Sequence, residues 1–455
     1  MEKKQRAKTE HNGSNSKDMI SKLPQPILHH ILSFLSKKCA TQTSVLSKPW
    51  HQIWSSRPKI ELCESDFPWG RFLSALDNIF QRYHDQNLSI QELYLEIVFD
   101  YGSVVSVLNK WMPIVKVFNL NLSLKYCHIP LSILVARSLK NLYMESCILS
   151  HQNPSSVGKF QYLQTLHLFS VYVRDDADAI GKMVSSCHRL KSLTLDEIKF
   201  SNDSLNFFSF NHLPNLEYLH LYCCYGFTEF HLFSRSIKHL IIDNYLNDSF
   251  EKATIHAPSI LYFKYRGSCI LSISFTTTND HEWKSEIDLS FEKVGADSSW
   301  FVKLNKLLSA LSRSEISLTL CNCLMKEIED SVDDDDTRLY RQPVMVENLK
   351  LCLRPAVLFR GFIHNILFRV CHPRNIAADK CIHNMEPEHK EVNEVLYEIL
   401  IMEREVTGHC LWRQDLEDVR VEAFDESGKV RQWRRLVQGT SLADHNNLCF
   451  RLKWS

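Results

Sequence analysis

The sequence of residues 216–224 is LEYLHLYCC. Leu216, Leu219 and Leu221 fit the template apolar-x-x-apolar-x-apolar, and the last two point to one face of a short strand because side chains alternate along a strand. A single unit of this kind cannot bury that face, whereas stacked units bury it in a continuous core. The segment therefore predicts one turn of a repeat array.

The same template recurs along the chain at spacings of 21 to 27 residues. Leucine-rich repeats have a period of about 20–29 residues. We therefore predict an α/β solenoid of leucine-rich repeats over residues 90–270. The eight matches are Ile90-Leu93-Leu95, Val117-Leu120-Leu122, Leu139-Leu142-Met144, Leu163-Leu166-Leu168, Leu190-Leu193-Leu195, Leu216-Leu219-Leu221, Ile237-Leu240-Ile242 and Ile260-Phe263-Tyr265.

Cysteine often follows three residues after the last apolar position of such a repeat, where its side chain can satisfy backbone groups of the turn. Cys147 and Cys224 occupy that place. Cys127 occupies it too if the second unit begins at Asn119 rather than Val117, and the sequence leaves both registers open. We predict that these cysteines are structural rather than redox-active or metal-binding.

The position between the last two apolar residues of each unit faces away from the core. In a solenoid these positions line one exposed surface, which is the concave one in horseshoe repeats. Aromatic and histidine side chains suit protein binding, because they offer a large contact area at a low entropy cost. The predicted target-binding residues are Tyr94, Tyr143, His167, Thr194, His220 and Ile241.

A compact apolar unit precedes the array in residues 18–57. Its first helix is predicted from an apolar face, with prolines in the tolerated first turn. A second short apolar segment follows, and Ser47 can cap a third helix. Three helices in under 40 residues bury little surface, so such a unit needs a neighbour. The first apolar face consists of Ile27, Leu28, Ile31, Leu32 and Leu35.

This unit closely resembles the F-box, through Leu23-Pro24, the two Ile-Leu pairs, Leu35 and TSVLSKPW at residues 43–50. Residues 257–267, APSILYFKYRG, closely resemble the late repeats of plant F-box/leucine-rich-repeat proteins. The resemblance covers about residues 18–270. It implies a three-helix F-box followed by a leucine-rich-repeat horseshoe, and we expect a C-terminal α+β capping region.

The resemblance also implies a function. F-box proteins of this kind dock on a Skp-type adaptor, which ties them to a cullin–RING (SCF) ubiquitin ligase, and their repeats hold a target protein. No catalytic residue, cofactor or metal is then expected in this chain, because ubiquitin transfer belongs to other subunits. The adaptor-facing residues implied are Leu23, Pro24, Ile27, Leu28 and Ile31, while Val45, Leu46 and Trp50 hold the helices together and border the contact.

The chain departs from the F-box pattern along the polar edge of that contact. Gln25 and Pro26 stand where acidic residues are common, and Pro49 stands where a basic residue is common. These departures leave a second hypothesis open, in which the chain is an F-box binding scaffold that does not deliver targets for ubiquitination. A third hypothesis is an enzyme whose site carries no recognisable motif. In a variant of the ligase hypothesis, the chain is a receptor that also binds a small molecule or an inositol phosphate.

Composition narrows the class of protein further. Lys+Arg and Asp+Glu both total 53, so the net charge of zero gives no indication of a nucleic-acid partner. No apolar run is long enough to span a bilayer, so no membrane partner is expected. The 15 cysteines follow a polar start without a signal-peptide pattern, which favours reduced thiols in the cytoplasm or nucleus.

Two other groups of residues contain side chains that can bind metals. Cys371, His372, Cys381 and His383 lack the paired cysteine spacing of structural zinc sites. The run Asp333–Asp336 lacks the spaced ligands and turn glycine of an EF-hand loop, and it predicts a solvated loop. No metal is therefore predicted at either place.

Segments outside the regular repeats carry weaker patterns. Helices are predicted over Asp176–Val184 and Glu391–Arg404, and Phe227–Ser236 is predicted to be irregular. Strands are predicted around Val419–Val421 and over Leu448–Trp454. The predicted organisation is a disordered lead (1–17), an F-box (18–57), a linker helix or repeat cap (58–89), leucine-rich repeats (90–270), degenerate repeats with an acidic loop (271–370) and a C-terminal capping region (371–455).

Overall fold

A computed structural model of the protein describes most of the chain between residues 20 and 455. The predicted lead at residues 1–17, the acidic run Asp333–Asp336, Cys381 and His383 lie outside the described residues. The described ranges are 20–68, 70–98, 101–128, 133, 136–149, 160, 162–174, 179–185, 187–200, 207–211, 213–244, 250–277, 283–290, 298–322, 342–354, 356–379, 389–402, 412–424, 430–431 and 448–455.

Helices occur at both ends of the chain and between some of the strands. Short 3₁₀ turns span Ile20–Lys22 and Glu64–Asp66, and a continuous helical segment with a π turn at Ile363–Leu367 spans residues 356–370. The α-helices are α1 (Gln25–Ser33), α2 (Lys37–Thr43), α3 (Lys48–Ser55), α4 (Arg71–Asp85), α5 (Tyr101–Trp111), α6 (Ala179–Ser185), α7 (Ser298–Ala310), α8 (His389–Leu400) and α9 (Trp412–Asp415).

Strands make up most of the remaining described residues. They are β1 (Lys59–Cys63), β2 (Ser89–Ile97), β3 (Lys116–His128), β4 (Asn141–Leu149), β5 (Thr165–Phe169), β6 (Tyr172–Val173), β7 (Ser192–Asp196), β8 (Lys199–Phe200), β9 (Phe207–Asn211), β10 (Tyr218–Tyr222), β11 (Glu229–Phe233), β12 (His239–Asn244), β13 (Lys252–His256), β14 (Tyr262–Gly267), β15 (Ser272–Thr276), β16 (Lys284–Ser290), β17 (Glu315–Asn322), β18 (Val344–Leu353), β19 (Cys371–Ala378), β20 (Leu416–Phe424), β21 (Val430–Arg431) and β22 (Leu448–Trp454).

One long parallel series of strands organises the molecule, and it agrees with the predicted repeats and with a solenoid. Its order is β1, β2, β3, β4, β5, β7, β10, β12, β14, β16, β17, β18 and β19. The series includes β1, which lies inside the segment 58–89 together with the predicted helix, α4. It also includes β16, β17 and β18 of the degenerate repeats. Every predicted repeat from Ile90 to Tyr265 supplies one strand of it.

The apolar pairs of neighbouring repeats stack directly on one another. Leu193 on β7 pairs with Leu166 and Leu219 on its two neighbours, and all three side chains are fully buried. Because side chains alternate along a strand, the residues between the buried pairs face outward together. The core is thus continuous along the series, and no repeat closes a core of its own.

A second, smaller sheet lies behind part of this series. Strands β9, β11, β13 and β15 pair in parallel in that order. Phe230 and Leu232 on β11 are fully buried, which places them in the shared core. The prediction that Phe227–Ser236 is irregular is therefore wrong, since this segment contains β11.

A bulge in β3 resolves the register that the sequence left open. Leu120 and Leu122 pair with Leu142 and Met144 on β4, so the second repeat begins at Val117 as the template predicts. The register then shifts, so that three residues of β3 lie opposite one residue of β4 and Cys127 pairs with Cys147. A bulge accommodates extra residues in one strand of a pair. The Asn119 start is therefore wrong, and Cys127 reaches the position opposite Cys147 through the bulge.

A left-handed residue directly follows the strand in three of the described repeats and lies within β4 in a fourth. The φ angles of Ser146, Ser170, Glu197 and Cys223 lie between 45° and 52°. The N–H of Glu197 donates to the carbonyl of Tyr222 at 2.9 Å, so the hydrogen-bonded ladder continues through the turn. The next residue in each case, such as Ile198, is buried. The turn thus sends one more side chain into the core.

The parallel series ends in an antiparallel group. Strand β22 pairs antiparallel with β19, and β20 pairs antiparallel with β22. The strand predicted over Leu448–Trp454 matches β22, and the predicted helix of this region is present as α8. Trp454 packs its ring flat on His372, with ring centroids 3.9 Å apart.

The helices α1–α3 have a small core of their own and contact the sheet at one junction. Leu28, Leu32, Trp50 and Ile53 form this core, separate from the main one. At the junction the Arg57 guanidinium lies 4.2 Å from the ring centroid of Trp54 and donates to the Trp54 carbonyl at 2.8 Å. The fully buried Tyr83 of α4 donates its hydroxyl to the Arg57 carbonyl. These contacts link α3 to the first layer of the sheet.

Substitution of Glu197 tests the left-handed turn. An L-residue with a side chain costs about 1–2 kcal/mol in this conformation, most for a β-branched one, and glycine adopts it freely. We expect Glu197→Val to be less stable than Glu197→Gly by about 1–2 kcal/mol, measured by urea denaturation. Both variants lose the same charge, so the difference between their free energies of unfolding reports on the backbone conformation at residue 197. Glu286 lies in the regular strand β16, and there the Glu286→Val variant should be more stable than Glu286→Gly. Equal stability of the two Glu197 variants would contradict the turn.

Candidate interaction surfaces

Exposed apolar side chains are concentrated on the helices α1 and α2 and their flanks. Seven of the fourteen large apolar side chains exposed in the described part of the chain fall within residues 20–46. We call these seven residues the apolar face. They are Ile20, Leu23, Ile27, Phe34, Leu35, Val45 and Leu46.

The structure corrects the expected roles of three residues in this unit. Leu28 was predicted to face a partner, but it is 3% exposed because it points from α1 into the small core. Val45 and Leu46 were predicted to hold the helices together, but they are 83% and 70% exposed because they lie in the turn after α2. Trp50 is buried in the small core, as predicted.

The other predicted adaptor-facing residues lie near the surface of this unit. Leu23, Pro24 and Ile27 are exposed, and Ile31 is half-buried against the small core. The predicted adaptor-facing residues omitted Ile20, Phe34 and Leu35, which are exposed members of the apolar face. Phe34 directly precedes Leu35 in the sequence, so its position next to the apolar stripe was the signal that could have identified it.

The polar edge of the unit is engaged within the chain. The Gln25 side chain donates to the Ser56 hydroxyl at 3.0 Å, which ties the start of α1 to the end of α3. His29 contacts the Ile53 carbonyl at 3.1 Å, and burial lowers its pKa. Gln25, at a position where F-box sequences commonly carry an acid, thus stabilises the unit itself.

The six predicted target-binding residues lie in one row across the main sheet. Strand pairing aligns each residue of this row with the next one. In order across the sheet, the row is Tyr94, Asn121, Tyr143, His167, Thr194, His220 and Ile241. The row continues to Lys264 and Glu286, which the sequence prediction did not include. Asn121 occupies the equivalent position of the second repeat, whose register the sequence left open. We call this the central row.

Aromatic and imidazole groups on this row pack against each other. The rings of Tyr143 and His167 meet edge to face with centroids 4.8 Å apart. Burial lowers the pKa of both His167 and His220, and burial together with Glu145 and Asp196 raises the pKa of Tyr143 to about 12. At neutral pH these imidazoles are therefore neutral and the phenol is protonated. From Tyr94 to Ile241 the row therefore offers packing area and hydrogen bonds rather than charge.

The cysteines at the repeat turns belong to the packing. Cys147 and Cys224 are buried, and burial raises the pKa of each thiol to about 12. The Cys224 thiol donates to the Leu195 carbonyl at 3.5 Å. A thiol protonated at neutral pH is a poor nucleophile and a poor metal ligand. This arrangement fits the structural role predicted for both residues.

The described residues also bear on metal and membrane binding. In these ranges no three His, Cys, Asp or Glu side chains are arranged to hold a metal ion. Cys371 is fully buried, and the ring of its neighbour His372 is stacked on Trp454. Cys381 and His383 lie outside these ranges. Among the described helices, none combines the length and hydropathy needed to cross a bilayer.

Comparison with known families matches two parts of the chain. Residues 20–62 match the F-box domain. Residues 115–213 match the family described as "FBD-associated F-box protein At5g56370, LRR repeats". The first match covers α1–α3 and most of β1, and the second covers strands β3 to β9.

Similar proteins come from Arabidopsis thaliana. The F-box/LRR-repeat protein At4g15060 is 24% identical over 74% of this chain and 73% of its own length. The F-box/FBD/LRR-repeat protein At2g26030 is 29% identical over 39% of this chain, and the F-box protein At5g03100 is 31% identical over 41% of it. The matches span 41% and 58% of the latter two proteins. The resemblance to plant F-box/leucine-rich-repeat proteins is thus confirmed: the chain carries an F-box domain followed by leucine-rich repeats.

Proposed function

We propose that this chain is the substrate-recognition subunit of an SCF-type E3 ubiquitin ligase. In this proposal the three-helix F-box, residues 18–57, binds a Skp-type adaptor, and through it a cullin–RING ligase. Residues 58–89 link it to the repeats at 90–270 and 271–370, which curve into a horseshoe and hold a target protein. Residues 371–455 cap the array, and the protein acts in the cytoplasm or nucleus without catalytic residues of its own.

The apolar face carries this proposal. Its seven side chains remain exposed after the chain has folded, although the unit that carries them has a small core of its own. Burying a large apolar side chain contributes about 1.5–3 kcal/mol, so covering several of them on a partner is strongly favourable. The match of residues 20–62 to the F-box domain supports an adaptor as the partner that covers them.

The central row supports the second half of the proposal. It places Tyr94, Tyr143, His167 and His220 on one outward surface, with the buried leucines beneath them. The contribution of such a subunit to ubiquitin transfer is proximity, because it holds target lysines near the enzyme that carries ubiquitin. The chain itself then needs binding surfaces and no nucleophile.

The scaffold hypothesis is the alternative. The Gln25–Ser56 hydrogen bond favours it, because a residue at the polar edge of the F-box contact is already engaged within the chain. A scaffold would bind the adaptor through the apolar face without assembling the complete ligase. The two functions therefore differ in whether a cullin–RING subunit joins the complex.

Introduction of negative charge on the apolar face tests whether this face docks on the adaptor. We expect Val45→Glu combined with Leu46→Glu to weaken binding of a purified plant Skp-type adaptor by at least about tenfold, because two carboxylates would be buried without partners. Both side chains are mostly exposed, so the fold should persist, as checked by circular dichroism. Phe233→Glu, at an exposed apolar residue on β11, is the matched control and should bind normally. Unchanged binding by the double variant would contradict the docking face.

Reconstitution distinguishes ligase from scaffold. The full chain is mixed with the adaptor and a cullin–RING pair and separated by size-exclusion chromatography. For a ligase subunit we expect all components to elute together, and the Val45→Glu, Leu46→Glu variant to elute alone. Adaptor binding without recruitment of the cullin would instead support the scaffold.

A further inference from the structure

Next to the central row runs a second outward row in which acids alternate with other side chains. Strand pairing aligns one residue from each of seven neighbouring strands. Every second strand contributes a carboxylate, and the strand between contributes an aromatic ring or a guanidinium. In order, the row is Glu145, Phe169, Asp196, Tyr222, Asp243, Arg266 and Asp288.

At one end of this row the carboxylates already hold a cation. Arg266 on β14 lies between Asp243 on β12 and Asp288 on β16. Its Nη1 is 3.3 Å from Asp243 Oδ2, and its Nε is 3.3 Å from Asp288 Oδ2. Acids two strands apart, about 9.5 Å between backbones, are thus correctly spaced to hold a guanidinium between them.

At the other end the same spacing of acids encloses an aromatic ring instead. Asp196 and Asp243 flank Tyr222 on β10, and Glu145 and Asp196 flank Phe169 on β5. Asp196 Oδ1 and Asp243 Oδ1 are buried, and neither has a hydrogen-bond partner among the described residues. The Asp243 side chain is only 10% exposed. Buried carboxylate oxygens without partners make the charged form of these acids costly, and a cation bound above them would lower that cost.

The surroundings of these acids are electronegative. From β2 to β12 the two outward rows carry the acids Glu96, Glu145, Asp196 and Asp243, and no lysine or arginine. Burial, with Glu197 and Asp243 nearby, raises the pKa of Asp196 to about 6. Burial also raises the pKa of Asp243, against the opposing effect of Arg266. A cation bound here would relieve this repulsion.

We propose that Glu145, Phe169, Asp196, Tyr222 and Asp243 form a binding site for arginine side chains of a basic protein segment. Each guanidinium would lie between two carboxylates and over the aromatic ring that separates them. Arg266 shows this arrangement of charges within the chain, and the 39% exposed Tyr222 offers the ring face that cations favour. The inference rests on the proposed function, in that the basic segment would belong to the target protein.

Labelled peptides of one length test the site on the full chain. Binding of oligo-arginine, oligo-lysine and oligo-glutamate peptides is measured by fluorescence anisotropy. We expect the arginine peptide to bind most tightly, and Asp196→Asn combined with Asp243→Asn to weaken it by at least about tenfold. Asp418→Asn removes a charge on β20, where the side chain is 44% exposed, and should change the affinity by less than about twofold.

The aromatic ring gives a second, independent readout. Tyr222→Phe keeps the ring and should retain the affinity for arginine, whereas Tyr222→Ala removes the ring and should lower the affinity several-fold. Tyr222 is exposed and outside the core, so both variants are expected to fold. Equal loss in both variants would contradict stacking of the cation on the ring.

The remaining outcomes separate this site from adaptor docking. Equal affinities of the Asn double variant and Asp418→Asn would overturn the site. Binding of oligo-lysine as tight as oligo-arginine would overturn the assignment to a guanidinium. If either result occurs while the Asn double variant still binds the Skp-type adaptor, the proposed function survives and only this inference fails. Loss of adaptor binding by the Val45→Glu, Leu46→Glu variant should leave peptide binding unchanged.

Acidity provides the last test. Asp196 faces His167 from β5, His220, Tyr222 and Cys223 from β10, and Asp243 from β12, with Glu197 beside it in the chain. Its carboxyl becomes protonated as the pH falls through about 6, and His167 and His220, whose pKa values burial lowers, also gain positive charge in acid. Affinity for the arginine peptide should therefore rise from about pH 5 to about pH 7, and this rise should shrink in Asp196→Asn. An identical pH profile in that variant would contradict the role of Asp196.

Asp196→Asn also controls for folding. Since the folded chain raises the pKa of Asp196, the folded state favours the protonated form, and stability is lost as the pH rises through the folded pKa. The neutral amide should therefore make the protein no less stable than the wild type at neutral pH. Loss of peptide binding in a variant of equal or greater thermal stability cannot then be caused by unfolding.

Discussion

The in-register parallel pairing of thirteen strands is the constraint on which the rest of this structure depends. Each strand buries its apolar pair only because the neighbouring strands bury theirs at the same level. A slip of one residue would turn every leucine of a strand outward, so the register is strongly specified. The same register aligns the outward residues, and it makes continuous rows out of positions more than twenty residues apart in sequence.

The sequence predicts the main sheet well because its signal is local. Leu193 and Leu195 identify β7 by themselves, and the six residues predicted on the central row lie on it. The second sheet was missed because the burial of Phe230 depends on the strands behind it rather than on the pattern of its own segment. The bulge in β3 could not be predicted from the sequence. The strand follows the Val117 register up to Ser123, and the bulge then brings Cys127 opposite Cys147.

The F-box unit shows a different limit of prediction. Helical periodicity finds an apolar stripe but does not divide it between the protein's own core and a partner. Ile27 and Leu28 are adjacent in sequence and about 100° apart around α1, yet one is 46% exposed and the other 3%. Which side of the stripe turns inward depends on where α3 places Trp50 and Ile53. That placement comes from tertiary packing, so the stripe alone could not show that Leu28 belongs to the small core rather than to the partner-facing surface.

The side chains of the outward rows lie apart from the buried pairs that stabilise the fold. Tyr222 on β10 and Arg266 on β14 occupy equivalent positions, and both lie above fully or almost fully buried apolar pairs. Changing one into the other would alter the charge of the surface without touching Leu219 or Phe263 beneath. Half-buried acids such as Asp196 cost folding free energy, which the continuous core supplies. An array of this kind can therefore carry an electrostatic pattern that a smaller domain, with less buried apolar surface per residue, would tolerate poorly.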